Sequence, residues 1–148
     1  MWKILAAAAG TMAFAVLFRA PGRDLFLCGA GGGAGWSAYL LLRDVLCLGG
    51  FAAVMGATAL VALLARAFAV WRKCPATVFL VTGIFPLVPG TGVYWMVYSI
   101  MAGQLHAALG YGVQSIETAI AVVLGILVAF EIPRRVFGGR REEIAYLL

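Results

Sequence analysis

Apolar residues fill five stretches of this chain, parted by short polar breaks, at about 3–18, 25–42, 45–65, 76–103 and 113–132. A membrane-crossing helix needs about 20 predominantly apolar residues, and fewer where its ends are buried in protein. The pattern therefore predicts an all-α integral membrane protein of about five spans, with residues 1–132 as one transmembrane domain and 133–148 as a short basic tail. The first stretch is short for a span, and Pro21-Gly22 closes it. The second carries Gly29, Gly31, Gly32, Gly33 and Gly35, each of which weakens a helix by roughly 0.5–1 kcal/mol relative to alanine in water. In hydrocarbon an unpaired backbone costs more than that, so the segment is still expected to be helical when neighbours pack against it. Without it the count falls to four.

Charge placement separates the two counts. With five spans, Arg19, Arg23, Arg66, Arg72, Lys73, Arg134, Arg135, Arg140 and Arg141 share one side, which is nine of the 11 basic residues; with four, that side keeps Lys3, loses Arg19 and Arg23 and holds eight. The positive-inside rule favours five, with the N-terminus outside and the C-terminus in the cytoplasm.

Composition narrows the function classes. Hydrophobic residues make up 64% of the chain and charged ones 11%, against about 25% charged in soluble domains. The net charge of +5 comes from small basic groups between apolar runs, so no basic face for nucleic acid is expected. Cys28, Cys47 and Cys74 stand apart and His106 is the single histidine; no metal, cofactor or catalytic constellation can be assembled from them. Met1-Trp2-Lys3 before an apolar run resembles a signal peptide, but the run has no polar segment before the weak Ala13-Phe14-Ala15 pattern and is read as a span.

Two motifs stand out. Gly29, Gly31, Gly33 and Gly35 have the small-xxx-small spacing of close helix packing, with Gly49, Ala53 and Gly56 extending such a face onto the third span; a dinucleotide loop would need a strand before it and a distant carboxylate. The second motif lies within the fourth span, where Pro86, Pro89, Gly90 and Gly92 interrupt an apolar run. Each proline removes a backbone donor, so the helix must break or kink there, roughly 15–24 Å from residue 76 at about 1.5 Å per residue and hence near the midplane. Amides freed at that depth need protein, water or solute to meet them. A discontinuous helix can turn its positive N-terminal end toward an anionic solute, with Thr91 as its cap and Tyr94 and Tyr98 on the same face. A kinked helix with interfacial aromatics is the simpler reading of the same residues.

The stretch Pro86-Leu87-Val88-Pro89-Gly90-Thr91-Gly92-Val93-Tyr94, preceded by a short basic loop ending in Pro75, together with Phe18-Arg19-Ala20-Pro21 and Arg23, resembles the bacterial threonine/serine exporter family. More closely it is similar to the small, membrane-only subunit of its split members, also described as the small component of a succinate export pair. That resemblance, over about residues 16–135, implies a multi-pass protein of the bacterial cytoplasmic membrane. It also implies a large-subunit partner and a small carboxylate-bearing solute, threonine, serine or a dicarboxylate. Self-association is compatible with the glycine faces.

Glu117 is an ionisable residue within the fifth apolar stretch and shares a helix face with Gln114 and Thr118. It fits a polar path or proton coupling, and equally a carboxylate near a helix N-terminus at the interface. Glu131 beside Arg134 and Arg135 reads as an interfacial charge, Arg23-Asp24 and Arg43-Asp44 as anchors of the second span, and His106 as an outer-loop residue. A non-transporting scaffold subunit is the alternative function from another class.

Overall fold

The structure, a computed structural model, describes residues 2–132. The described chain is helical throughout its length apart from short connections: α1 Trp2–Leu17, α2 Leu25–Leu40 continued by a π-helical turn Leu41–Val45, α3 Gly50–Arg72, α4 Ala76–Ile84 with a 3₁₀ turn Phe85–Leu87, α5 Gly90–Met101 and α6 Leu105–Glu131. Three rods are long and apolar enough to cross a membrane, Leu25–Val45, Gly50–Arg72 and Leu105–Glu131. Ala76–Leu87 and Gly90–Met101 make a fourth when taken as one span bent by 48°. The 16-residue α1 is apolar but shorter.

Side-chain size sets how these rods pack. The glycine-rich α2 forms a regular helix because its glycines accept neighbours: a Cβ at Gly29 would lie 2.5 Å from Met12 Cγ, one at Gly32 would collide with Thr11, and one at Gly35 with Val61. At Gly33 the nearest atom would be Ala8 Cβ at 3.3 Å, whereas a Cβ at Gly31 would meet nothing within 4 Å. Numbers that rise on α2 fall on α1, so the two are antiparallel. By the same reading α2 runs antiparallel to α3 and parallel to α4, and Gly125 of α6 backs onto Met55 and Thr58 of α3 with both chains running the same way. The core between them is built of small residues, with Ala57, Ala65, Ala69 and Ala76 buried around Val61, Phe79, Ile84 and Leu87. Backbones can then approach closely, which is how helices gain contact where lipid supplies no hydrophobic drive.

Two polar links fix which ends lie together. Asp24, at the head of α2, is buried and pairs with Arg72 Nε at 2.5 Å at the end of α3. Arg66 Nη1 donates to the carbonyls of Ala129 (2.6 Å) and Ile132 (3.1 Å), and its guanidinium lies 5.5 Å from the Phe130 ring centroid. The α1–α2 connection, the α3–α4 connection and the end of α6 thus share one end of the bundle, and the chain traverses it five times.

Several sequence expectations need correction. The third span is displaced: α2 continues to Val45, Gly49 and Gly50 start the next helix, and α3 runs on past residue 65 to Arg72. Arg66 is therefore a buried helix residue, not a loop residue, and it is tolerated because it satisfies the orphan carbonyls of α6. The last span begins at Leu105 rather than 113, since Gly103 (φ +73°) completes the turn and the helix restarts at once. His106 is accordingly in the first turn of α6, not in a loop. Residues 133–148, including Arg134 and Arg135, lie outside the described residues.

Candidate functional site

The break between α4 and α5 follows from its prolines. Phe85–Leu87 tightens into a 3₁₀ turn, Val88 is extended, Pro89 is the N-cap of α5, and the first i→i−4 bond of that helix is Val93 N–H to the Pro89 carbonyl at 3.1 Å. The Gly90 amide is taken by the Val88 carbonyl at 2.7 Å. The amides of Thr91 and Gly92 precede the first helical bond and have no carbonyl behind them within α5. Thr91 is not the cap that the sequence suggests; Pro89 holds that place and offers no side-chain acceptor, so the helix end stays uncapped.

A cavity of about 290 Å³ opens at this break. Pro86, Leu87, Val88 and Pro89 form one wall, Thr91, Gly92 and Trp95 of α5 a second, Tyr111, Gln114, Ser115 and Thr118 of α6 a third, and Trp36 and Tyr39 of α2 with Val54 of α3 close it. The α5–α6 pair is tight here because a Cβ at Gly92 would collide with Ser115 Oγ, and one at Gly112 would lie 2.9 Å from Met96 Sδ. A Cβ at Gly90 would meet nothing within 4 Å. Since Gly92 faces Ser115, and Ser115 is near the middle of the 27-residue α6, the cavity sits at mid-helix depth.

The cavity wall mixes donors and acceptors with aromatic surface. Ser115 Oγ donates to the Tyr111 carbonyl (2.7 Å) and Thr118 Oγ1 to the Gln114 carbonyl (2.8 Å), which leaves their oxygen lone pairs as acceptors. Trp36 contributes an indole Nε1–H that is buried without a hydrogen-bond partner among the described residues. Its ring leans on Tyr39, whose hydroxyl accepts from Arg43 Nη1 at 3.0 Å. A second cavity, of about 330 Å³, shares Trp36 and Pro86 and is otherwise walled by Trp2, Lys3, Ala6 and Ala7 at the start of α1; Lys3 is the one charged group in its lining.

Of the residues singled out from sequence, Pro86, Pro89, Thr91 and Gly92 line the cavity, and Gly90 lies between two of them. Tyr94 and Tyr98 do not; they stack on one another with centroids 6.4 Å apart on the outer side of α5, and Trp95 takes the inward position. Glu117 is exposed and does not line the cavity, although Gln114, Ser115 and Thr118 of the same helix do. Trp36, Tyr39, Trp95, Tyr111 and Ser115 carried no local signal, because aromatic and hydroxyl residues are ordinary in membrane helices.

At the end of the bundle that holds the Asp24–Arg72 pair, Cys74 Sγ lies 3.7 Å from Asp24 Oδ2. Burial, and then the carboxylate of Asp24, push this thiol above its ordinary range, with Arg72 acting weakly the other way. It is a neutral thiol in a structural cluster.

Comparison with curated proteins and with solved structures gave no match. A family model described as "Threonine/Serine exporter, ThrE" matches residues 3–132, which takes in the described helices apart from Trp2 and the whole lining of the cavity at the α4–α5 break. With this match over residues 3–132, the helical chain belongs to the threonine/serine exporter family.

Proposed function

We propose that this chain is the small, membrane-only subunit of a split exporter in the bacterial cytoplasmic membrane, and that the cavity at the α4–α5 break is its part of the solute path. The observation that carries the reading is the unclaimed start of α5: two backbone amides, Thr91 and Gly92, at mid-helix depth beside a cavity with a buried, unpartnered Trp36 N–H. Donors left open inside a membrane protein are costly unless water or solute meets them. A carboxylate suits them, since the N-terminal end of a helix favours an anion by roughly 0.3–2 kcal/mol. Threonine, serine and dicarboxylates such as succinate all carry one, and the acceptor lone pairs of Ser115 and Thr118 suit an ammonium or hydroxyl group at the other end.

The chain supplies only one side of such a path. α6, which walls the cavity on one side, is the least covered of the long spans, and a large subunit is read as the other half. The test is co-expression with a large subunit from the same genome, followed by export of labelled threonine, serine and succinate. Export above that of either chain alone is expected, together with loss of apparent affinity in Trp36→Phe, which keeps the ring and removes the donor. Full transport by this chain alone in liposomes, or unchanged affinity in Trp36→Phe, would sink the reading.

A further inference from the structure

Glu117 was expected about one turn inside its span, but α6 begins eight residues earlier than the apolar pattern suggested. Glu117 is 12 residues from Leu105 and 14 from Glu131, roughly 18 Å along a helix of about 1.5 Å rise per residue. That is the middle of the α6 rod, close to the level of the Gly92–Ser115 contact. Its side chain is exposed and has no ion-pair partner among the described residues. At about 100° per residue it points roughly 60° away from Gln114 and 100° away from Thr118, so it belongs to the outer face rather than to the cavity. Val113, Ile120 and Leu124 share that face and are exposed at 65%, 49% and 38%. Beside them Gly110 leaves a notch with nothing within 4 Å of a Cβ.

A carboxylate at the centre of an apolar helix face does not belong in hydrocarbon; such groups face protein or water and find a partner. We infer that the Gly110–Val113–Glu117–Ile120–Leu124 face of α6 is an interface for a helix of a different membrane chain that brings a cation or hydrogen-bond donor to mid-bilayer depth. A second copy of this chain brings no cation to that level: among the described residues its cations lie at helix ends, apart from Arg66, which serves the end of α6. A two-fold contact through this face would also set Glu117 against Glu117. The inference rests on the reading that the chain works with a second subunit, and deepens it by naming the face and its chemistry.

The test is assembly, scored apart from export. The full chain carrying a photo-reactive residue at Val113 or Ile120 is co-expressed with a tagged large subunit, and Glu117→Gln, Glu117→Leu and Glu117→Lys are compared for co-purification in mild detergent at equal membrane levels. Cross-links to the large subunit are expected. Glu117→Lys should lower the co-purified partner about tenfold or more by setting like charge against like, and Glu117→Gln, which keeps an acceptor, should lower it less than Glu117→Leu. Cross-links only to lipid, cross-links only between two copies of this chain, or co-purification unchanged in all three variants would each overturn the inference. Cross-links and co-purification as expected, with no export of any labelled solute by the assembled wild-type pair, would count against the solute path and leave this interface standing.

Discussion

Gly90 and Gly92 sit two residues apart in the first turn of α5, yet only one of them is sterically committed. A methyl at Gly92 would collide with Ser115 and push α5 off α6, whereas a methyl at Gly90 enters open space. Gly92→Ala is therefore expected to reduce export several-fold while the protein still inserts, and Gly90→Ala to leave it near wild type; labelled-solute efflux normalised to membrane-inserted protein reads both. Equal effects would mean that backbone freedom rather than close approach is what the pair provides. The Asp24–Arg72 pair is asymmetric in the same residue-by-residue sense. The Asp24 side chain is 3% exposed and that of Arg72 33%. Arg72→Met strands a carboxylate in the interior, a loss of about 3–5 kcal/mol where a buried pair is broken, while Asp24→Asn leaves a cation that water can reach. Thermal unfolding in detergent should rank Arg72→Met clearly below Asp24→Asn. Asp24→Asn has a second signature at Cys74. Removing the carboxylate lowers the thiol pKa toward its ordinary value, so more thiolate is present at a given pH and maleimide labelling of Cys74 should speed up.

At the scale of the element, the break in the fourth rod was legible because two prolines within four residues of an apolar run leave no way to keep a straight helix. Its place along the rod was legible too, since rise per residue is fixed and the break falls between Leu87 and Gly90. The start of α6 was not. Gly110 and Gly112 look like loop residues in one dimension, and only Met96 packed against Gly112 shows why a helix accepts them there. Arg66 misled for a related reason: a lone arginine ends an apolar run in sequence, but in three dimensions the carbonyls of Ala129 and Ile132 receive it. The four-residue spacing of Tyr94 and Tyr98 is real, yet which side of α5 faces inward is set by the Gly92–Ser115 contact, and that turns Trp95 to the cavity instead. Local chemistry is written in the sequence; helix rotation is set by the neighbour. The break itself should be separable from its prolines' neighbours by exchange. Pro86→Ala with Pro89→Ala restores two backbone donors and is expected to let α4 and α5 straighten from their 48° bend, with export lost and helicity by circular dichroism slightly raised. An unchanged efflux rate in that double variant would separate the solute path from the break.

For the molecule as a whole, the two polar clamps decide more than the spans' lengths do. Asp24–Arg72 and Arg66 with the end of α6 bind three chain ends into one pole of the bundle. That pole gathers Arg19, Arg23, Arg66, Arg72 and Lys73, while Lys3 and Arg43 lie at the other. Although Arg66 is a helix residue rather than a loop charge, it stays at the basic pole, so the asymmetry survives its reassignment. By the positive-inside rule we propose that this pole faces the cytoplasm. Two native thiols report on it directly: Cys47 is exposed in the α2–α3 connection at one pole, Cys74 lies in the α3–α4 connection at the other, and Cys28 is buried in α2. In intact cells a membrane-impermeant maleimide should label a variant that keeps only Cys47 and spare one that keeps only Cys74, with Cys74 becoming reactive once the membrane is opened. The raised pKa of Cys74 slows its labelling as well, so the decisive comparison is Cys74 in opened against intact cells at one pH, not Cys74 against Cys47. Labelling of Cys74 alone from outside would invert the molecule and place the charge-rich pole outside. Labelling of both from outside would mean that α3, the most deeply packed rod, does not cross the membrane, and the five traverses of the bundle would have to be abandoned.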